Sequence, residues 1–346
     1  MSRLFRFLAL ILCAVLLVIP VAEAGYSKDS CPKSKPQNRV RGDLVFDMDT
    51  GKVLIEKNAK ASFHPASLTK LMSLDLIFDD LQSRRLRPDD MVPLLKTGGQ
   101  RDGRTISLQK MTVREAVAGI ATASLNNVLD GIAAKSGTPA FVARMNETAK
   151  RLGMKKTFFV NPTGWPTPQS MQMQRTTLHD LATLVRHVWL GYPKEVAQYA
   201  GKKDVTITGL KEPLNSTNNL LETSEAPHAQ PYGGVIGGKT GYTCYSGWHL
   251  VVVYKDIETG RRMVGMTVGH KTGKERDDHM ISLLDEARPK LAAFARSEAR
   301  RIEAEKQAAL RAAAKAQQEA ARARDLAREQ AKAKVAKPIP QASVSR

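Results

Sequence analysis

The sequence predicts an α+β domain whose first and last strands form one antiparallel sheet. Residues 43–57 read as two short strands joined by the turn Asp49-Thr50-Gly51. After Gly234 the pattern returns to strands, with candidates at 248–254 and 262–269. Helical periodicity fills the interval between these two groups. Because strands at both ends enclose a helical middle, the ends should meet in one sheet, which excludes a doubly wound parallel fold.

The helical middle begins after Pro65, a residue suited to a first helical turn. The apolar surface that follows is wide enough for a helix buried on most sides, and it comprises Leu68, Leu71, Met72, Leu74, Leu76 and Ile77. Further helices are predicted at 113–123, 125–134, 140–152 and 178–189, with a closing helix at 281–295. The predicted domain therefore spans residues 42–295.

Residues 296–337 have a different composition, dominated by Ala, Arg, Glu, Lys and Gln without Gly or Pro. Such a run has high helix propensity, and its large apolar residues are too few to form a core. A solvated, basic helical tail is therefore expected, with a coiled coil as the alternative and a disordered C-terminus at 338–346. Its positive charge favours docking on an anionic envelope surface or a protein partner.

The N-terminus has the features of an export signal. Arg3 and Arg6 precede an apolar run over residues 7–19, and Ala22-Glu23-Ala24 offers small residues at a cleavage site. We therefore predict a signal peptide at 1–24 and a polar lead at 25–41. An uncleaved membrane anchor is the alternative, although the run is shorter than the ~20 residues that span a bilayer. The mature protein is expected in the periplasm or cell envelope, peripheral to the membrane at most.

Composition narrows the class of protein further. The 346 residues are 42% hydrophobic and 25% charged, which argues against wholesale disorder and against several membrane spans. The formal charge of +19 fits binding to nucleic acid, anionic lipid or an acidic wall polymer. Export sets nucleic acid aside. Cys31 and Cys244 remain in the mature chain, and an oxidising compartment permits them to form a disulfide.

Three short motifs carry the candidate chemistry: Ser67-Leu68-Thr69-Lys70, Ser124-Leu125-Asn126 and Lys239-Thr240-Gly241. Each motif alone is weak, because the chain repeats every pattern elsewhere. The repeats are Ser30-Cys31-Pro32-Lys33, Ser107-Leu108-Gln109-Lys110, Ser216-Thr217-Asn218 and Lys271-Thr272-Gly273. The predicted secondary structure must therefore separate the functional copies from chance matches.

Ser67 is the preferred nucleophile because it lies at the start of the predicted buried helix. A spacing of three residues places Lys70 one turn away on the same face, within reach of the serine hydroxyl. Serine needs an adjacent base, and a desolvated lysine can act as a neutral amine. Ser30 lies in the polar lead, and Ser107 precedes a turn. Neither position supplies such an environment.

The other two motifs have structural alternatives. Ser124 could simply cap the following helix, with Asn126 serving as a turn amide. Lys239 follows a glycine-rich strand, so it can project from a sheet edge into a cleft, and the glycines would let a peptide approach. Lys271 enters the closing helix and is better explained as part of a solvated turn.

Together, the ordered motifs resemble those of the low-molecular-mass penicillin-binding proteins, the serine-type D-alanyl-D-alanine carboxypeptidases. The resemblance covers residues 42–295 and includes three longer segments. They are His64-Pro65-Ala66-Ser67-Leu68-Thr69-Lys70-Leu71-Met72, Phe159-Val160-Asn161-Pro162-Thr163-Gly164 and Lys239-Thr240-Gly241-Tyr242-Thr243. The resemblance implies a β-lactamase/transpeptidase-like fold, release of the terminal D-Ala from peptidoglycan stem peptides, and inhibition by β-lactams.

The resemblance also implies roles for individual residues. Ser67 would attack, Lys70 would take its proton and Ser124 would relay a proton. The substrate would be held by Asn126, Lys239, Thr240, Gly241 and Tyr242. Within that set Asn126 would bind the substrate amide, and Lys239 with Thr240 the terminal carboxylate. The backbone N–H groups of Ser67 and Tyr242 would form the oxyanion hole.

Four features depart from the family pattern. Asn127 stands where the family often has Asp, and Trp165 stands where it often has Leu. Tyr245-Ser246-Gly247 stands where Ala-Gly is common. The basic tail replaces the β-rich C-terminal domain and amphipathic anchor of some members.

Two alternatives stay open: a D,D-endopeptidase that cuts cross-links, and a non-catalytic scaffold that binds peptidoglycan. A class A β-lactamase is disfavoured because no Glu-x-x-Leu-Asn segment is present. No cofactor is implied, and no metal is indicated, since the seven histidines include no His-x-x-x-His pair.

Overall fold

The computed structural model describes residues 39–95, 106, 108–221 and 232–335. Its largest sheet has five antiparallel strands in the order β2-β1-β9-β8-β7. They are β1 (Gly42–Asp47), β2 (Val53–Lys57), β7 (Val235–Thr243), β8 (Gly247–Lys255) and β9 (Arg262–His270). The first two strands and the last three thus share one sheet, which confirms the predicted α+β fold.

The segment between β2 and β7 is mainly helical. Its helices are α1 (Lys70–Gln82), α2 (Val113–Ala123), α3 (Asn127–Lys135), α4 (Thr138–Arg151), α5 (Pro168–Met173), α6 (Leu178–Gly191) and α7 (Pro193–Tyr199). Two small ribbons accompany them: β3 (Met91–Pro93) with β4 (Lys110–Thr112), and β5 (Asp204–Val205) with β6 (Leu214–Asn215). The sequence did not predict α5, α7 or these four strands, because segments of two to seven residues are too short to display a period.

The large sheet separates two hydrophobic cores because its side chains alternate between faces. On β1, Leu44 and Phe46 belong to the larger core with the helical segment. Val45 belongs to a smaller core with residues of the final helix, including Met280 and Leu284. This arrangement leaves β7 as an outermost strand beside the helical segment, where the candidate site forms.

The final helix, α8 (Gly273–Val335), is longer than predicted. The expected closing helix and the expected basic tail form one continuous helix with no break at residue 296. The first part packs on the sheet, whereas residues 299–332 are all exposed. None of the described helices is both long and apolar enough to cross a membrane. The predicted signal peptide, Ser30, Cys31, Ser107 and the end of the chain from residue 336 lie outside the described residues.

A buried ion pair joins the start of the domain to α8. Asp47 at the end of β1 is fully buried and receives hydrogen bonds from Arg261 Nε at 2.7 Å and Nη2 at 2.8 Å. Arg261 also binds Glu298 of α8 at 2.6 Å. Burial alone would raise the pKa of Asp47, but hydrogen bonds from Arg261 and Thr50 lower it below its ordinary value. The first exposed turns of α8 are thereby attached to the domain.

We expect Arg261→Met to lower the free energy of unfolding by ~3–5 kcal/mol at pH 7, because it leaves the Asp47 carboxylate buried without its cation. The pKa of Asp47 is lower in the folded state, so its stabilisation exists above the ordinary value of 3.8 and disappears as pH falls further. The difference between variant and parent should therefore shrink in acid. Urea denaturation at several pH values measures this.

Arg262→Met is the matched control, because the partner of Arg262 is Asp49, a side chain that is 45% exposed. Exposed pairs contribute ~0–1 kcal/mol, so this variant should unfold close to the parent midpoint. Equal destabilisation by both variants would contradict the assignment of the buried pair.

Candidate active site

Ser67 lies on one turn of 3-10 helix, Ala66–Thr69, which leads directly into α1. Ala66 has φ +49°, a left-handed conformation that is strained for a residue with a Cβ. Two hydrogen bonds hold this turn: Ala66 N donates to His64 Nδ1 at 3.1 Å, and Leu68 N donates to the Pro65 carbonyl at 3.0 Å. Strain therefore adjoins the candidate nucleophile, in a conformation that its neighbours fix.

Lys70 is the first residue of α1, and its side chain is completely buried. Its Nζ lies 2.8 Å from Ser67 Oγ and 2.9 Å from the Thr163 carbonyl oxygen. The contact expected from the three-residue spacing is therefore present. An amine held against a serine hydroxyl in a water-poor environment can accept the hydroxyl proton.

The loop of residues 161–165 supports Lys70 from the opposite side. Asn161 shapes it by accepting a hydrogen bond from Gly164 N at 2.7 Å and donating to the Trp165 carbonyl at 3.0 Å. Gly164 has φ +78°, and a Cβ there would lie 1.8 Å from the Ala66 carbonyl oxygen. Only glycine lets this loop approach the Ser67 turn closely enough to place the Thr163 carbonyl on Lys70.

Ser124 ends α2 in a left-handed conformation, φ +61°, with its side chain buried. Its Oγ receives a hydrogen bond of 2.8 Å from Lys239 Nζ. Asn126 occupies the N-cap position of α3 but makes no side-chain capping bond. The capping alternative therefore does not describe either residue.

Strand β7 brings the third motif against the Ser67 turn. Lys239 is 2% exposed and also binds the Thr240 carbonyl at 2.9 Å. At Gly241 a Cβ would lie 3.1 Å from the Pro65 carbonyl oxygen and 3.3 Å from Leu68 N, so the missing side chain permits this approach. Tyr242 is 47% exposed and packs on the Trp248 ring, with centroids 4.2 Å apart. Folding thus collects all three motifs around the Ser67 turn.

One of the repeated patterns, Ser216-Thr217-Asn218, lies beside this site. Thr217 Oγ1 is 2.5 Å from Thr240 Oγ1. Thr217 N also donates to the Thr122 carbonyl at 3.1 Å, which joins the loop to α2. The contact comes from a loop between β6 and β7, so no local spacing could have revealed it. Lys271-Thr272-Gly273 differs, because Thr272 Oγ1 accepts a hydrogen bond from Glu275 N at 3.0 Å in the first turn of α8.

Two sequence departures have structural roles. Asn127 is buried, and its amide donates to the Ile106 carbonyl at 3.2 Å, so this side chain binds backbone far from it in sequence. The Ser246 hydroxyl forms a hydrogen bond of 2.7 Å with the Thr243 hydroxyl, and its oxygen lies 3.0 Å from His249 Nε2. Cys244, which directly follows Thr243 in the sequence, takes part in a disulfide. Its partner lies outside the described residues, so pairing with Cys31 stays a prediction.

Two buried histidines support the strained turn. Gly269 N donates to His249 Nδ1 at 3.1 Å, so the ring proton of neutral His249 is on Nε2, which faces the His64 carbonyl oxygen at 3.2 Å. Burial lowers the pKa of His249 to about 3 and that of His64 to about 4. Both rings are therefore neutral near pH 7, as His64 must be to accept the Ala66 hydrogen bond.

We expect these two buried histidines to make the fold sensitive to mild acid. Both have folded-state pKa values below the unfolded value of 6.5, so unfolding takes up protons and stability falls as pH drops from about 6.5 towards 4. Each histidine contributes ~1.4 kcal/mol per pH unit in this interval.

His249→Asn keeps a hydrogen-bond donor but cannot titrate, so its stability should decline less steeply with acid than that of the parent. Denaturant titrations between pH 4 and pH 7 measure the slope. His179→Asn is the control, because His179 lies on the surface beside Glu56. Parallel slopes for parent and His249→Asn would disprove the role of the buried ring.

Comparison with known proteins places this geometry in a family. The sequence profile of the D-alanyl-D-alanine carboxypeptidases, peptidase family S11, matches residues 30–272. The chain is 30% identical over 288 residues to D-alanyl-D-alanine carboxypeptidase DacF of Bacillus subtilis, covering 81% of this chain and 70% of that protein. It is 27% identical to DacD of Escherichia coli, over 80% of this chain and 70% of the relative.

Solved structures agree. Penicillin-binding protein D2 of Listeria monocytogenes, solved in an ampicillin-bound form, superposes with a TM-score of 0.63 at 25% identity, covering 71% of this chain and 96% of that one. Penicillin-binding protein 5 of Haemophilus influenzae gives 0.61 at 25% identity, over 72% and 70% of the two chains. The span matched by the family profile, residues 30–272, contains the motifs at Ser67, Ser124 and Lys239. The chain therefore belongs to the D-alanyl-D-alanine carboxypeptidase family of low-molecular-mass penicillin-binding proteins.

Proposed function

We propose that this protein is a serine-type D-alanyl-D-alanine carboxypeptidase that removes the terminal D-Ala from peptidoglycan stem pentapeptides. One observation carries the proposal: two buried lysines each lie 2.8 Å from a serine hydroxyl, Lys70 at Ser67 and Lys239 at Ser124. A structural scaffold gains nothing from burying two lysines beside two serines, because desolvating an amine costs free energy. Acyl transfer requires both a base and a site for a carboxylate.

In the acylation step Ser67 Oγ attacks the carbonyl carbon of the penultimate D-Ala while Lys70 Nζ accepts the hydroxyl proton. Negative charge then develops on the carbonyl oxygen, where the backbone N–H groups of Ser67 and Tyr242 would stabilise it. The C–N bond breaks, and the departing D-Ala amine receives the proton that Lys70 had accepted, relayed through the Ser124 hydroxyl. Lys70 is then neutral again. The result is an ester on Ser67 and free D-Ala.

Substrate binding uses the other side of the cleft. Lys239 and Thr240 would bind the terminal carboxylate, with Thr217 in contact with Thr240 at 2.5 Å to orient its hydroxyl. Asn126 would bind a substrate amide, and Gly241 lets β7 lie close against the Ser67 turn, which positions Lys239 and Thr240 for this contact. Water, deprotonated by Lys70, then hydrolyses the ester, and the proton passes to the Ser67 oxygen as it leaves.

A β-lactam presents an acyl group and a carboxylate in the same relation, so Ser67 would open its ring and retain it as an ester. The ampicillin-bound and cefotaxime-bound forms of the Listeria monocytogenes protein support this. Peptidoglycan lies outside the cytoplasm, so the proposal agrees with the export signal expected in residues 1–24. No cofactor is needed for either step.

We expect Ser67→Ala to abolish labelling by a fluorescent penicillin and release of D-Ala, because the nucleophile is lost. Ser30→Ala and Ser107→Ala, at the repeated patterns, should retain both activities. Peptide mapping of the penicillin adduct identifies the nucleophile directly. An adduct on a peptide without Ser67 would overturn the mechanism, and absence of any adduct in folded protein would favour the scaffold.

Lys239→Ala should slow acylation about 10- to 100-fold, because it removes a charge-assisted contact with the substrate carboxylate. Lys271→Ala, in the exposed second copy of the motif, should be nearly silent. Stopped-flow acylation by a chromogenic cephalosporin measures both variants.

Assays with a pentapeptide and with a cross-linked dimer separate a carboxypeptidase from an endopeptidase, since preferential dimer cleavage would favour the endopeptidase.

The basic exposed part of α8 is proposed to dock on an anionic envelope surface. Truncation after Arg301 keeps the Arg261–Glu298 contact and should leave peptide turnover unchanged. It should weaken sedimentation with envelope fractions, and salt should weaken sedimentation of the parent in the same way, because the attraction is between charges. Loss of turnover in the folded truncated protein, or salt-independent sedimentation, would contradict the proposal.

A further inference from the structure

A cluster of metal-ligating side chains lies apart from the catalytic motifs, where β1, β9 and α8 meet. Asp43 is on β1, His270 ends β9, and His279 lies in the second turn of α8. One ligand atom from each of the three residues lies within 4.8 Å of the others. The proposed peptidase mechanism uses none of them.

The hydrogen bonds around His270 leave one ring nitrogen without a partner. Thr267 Oγ1 donates to Asp43 Oδ1 at 2.7 Å, so its proton is committed there. The Thr267 oxygen must then accept from His270 Nε2, 2.6 Å away, which places the ring proton on Nε2. His270 Nδ1 therefore presents a bare lone pair, and this fully buried atom has no hydrogen-bond partner among the described residues.

This arrangement is the one that metal-binding histidines adopt, with one nitrogen oriented by a hydrogen bond and the other free to ligate. A buried imidazole lone pair without a partner costs free energy, and a cation would remove that cost.

The surrounding charges suit a cation. Glu275 Oε1 lies 3.7 Å from His270 Nδ1, which adds a second carboxylate beside Asp43. Arg41 binds Glu275 and offsets one of these two negative charges. His279 binds Asp43 Oδ1 at 3.0 Å and keeps 32% of its side chain exposed, which gives an ion a route of entry.

We propose that Asp43, His270 and His279 form a binding site for Zn²⁺, with Glu275 positioned to serve as a fourth ligand. Two imidazoles and carboxylate oxygens are ligands that zinc prefers. Bonds of about 2.0–2.1 Å put tetrahedral ligand atoms about 3.3 Å apart, so side-chain shifts of an ångström or so close the site. The bound ion would join β1, β9 and the start of α8.

The test uses the purified, tag-free full chain. Calorimetric titration at pH 7.5 should show one Zn²⁺ per chain with a dissociation constant in the micromolar range or below, and Zn²⁺ should raise the thermal midpoint. Mg²⁺ should do neither, because it prefers an all-oxygen shell. Co²⁺ should give the visible absorption of a tetrahedral site and be displaced by Zn²⁺.

His279→Gln should weaken Zn²⁺ binding at least about tenfold and abolish the cobalt spectrum. Because His279 is partly exposed, this variant should fold, which its metal-free thermal midpoint checks. His179→Gln is the matched control, since His179 also contacts one carboxylate, that of Glu56, at 2.8 Å but without a second histidine. Unchanged binding in His279→Gln, equal loss in both variants, or no Zn²⁺ binding by the parent would overturn the site.

Discussion

The active site depends on one constraint: two backbone segments must approach the Ser67 turn more closely than side chains normally allow. Gly241 on β7 meets Pro65 and Leu68, and Gly164 meets the Ala66 carbonyl. The turn itself is strained at Ala66. Its conformation is fixed because both flanks are occupied by backbone, which cannot move aside as a side chain can.

The close approach of these backbone segments explains why the site is both polar and buried. Lys70 and Lys239 lie at the two sides of the turn, and each binds a serine hydroxyl and a backbone carbonyl oxygen. The carbonyls of Thr163 and Thr240 are available only because glycines admit their segments. An amine that loses water needs such replacements, and the same exclusion of water strengthens its interaction with substrate.

The opposite face of the sheet is held by polar contacts around α8. Arg261 links Asp47 of β1 to Glu298 of α8. Asp43, also on β1, contacts His279 of α8. Asn219, two residues after Thr217, binds Asp277 of α8 at 2.9 Å. The start of α8 is therefore connected both to the sheet and to the loop that lines the cleft. An ion at the Asp43 cluster would stiffen this connection.

The sequence by itself determined the α+β architecture, since strand and helix periods and the order of segments are local properties. It also determined the Ser67–Lys70 contact, because a three-residue spacing on a helical turn fixes which side chains meet. Only the tertiary structure placed Thr217 beside Thr240, His249 behind His64, and His270 beside Asp43. These residues are separated by 23, 185 and more than 200 positions. Contacts over such separations depend on strand register and loop path, which no local pattern encodes.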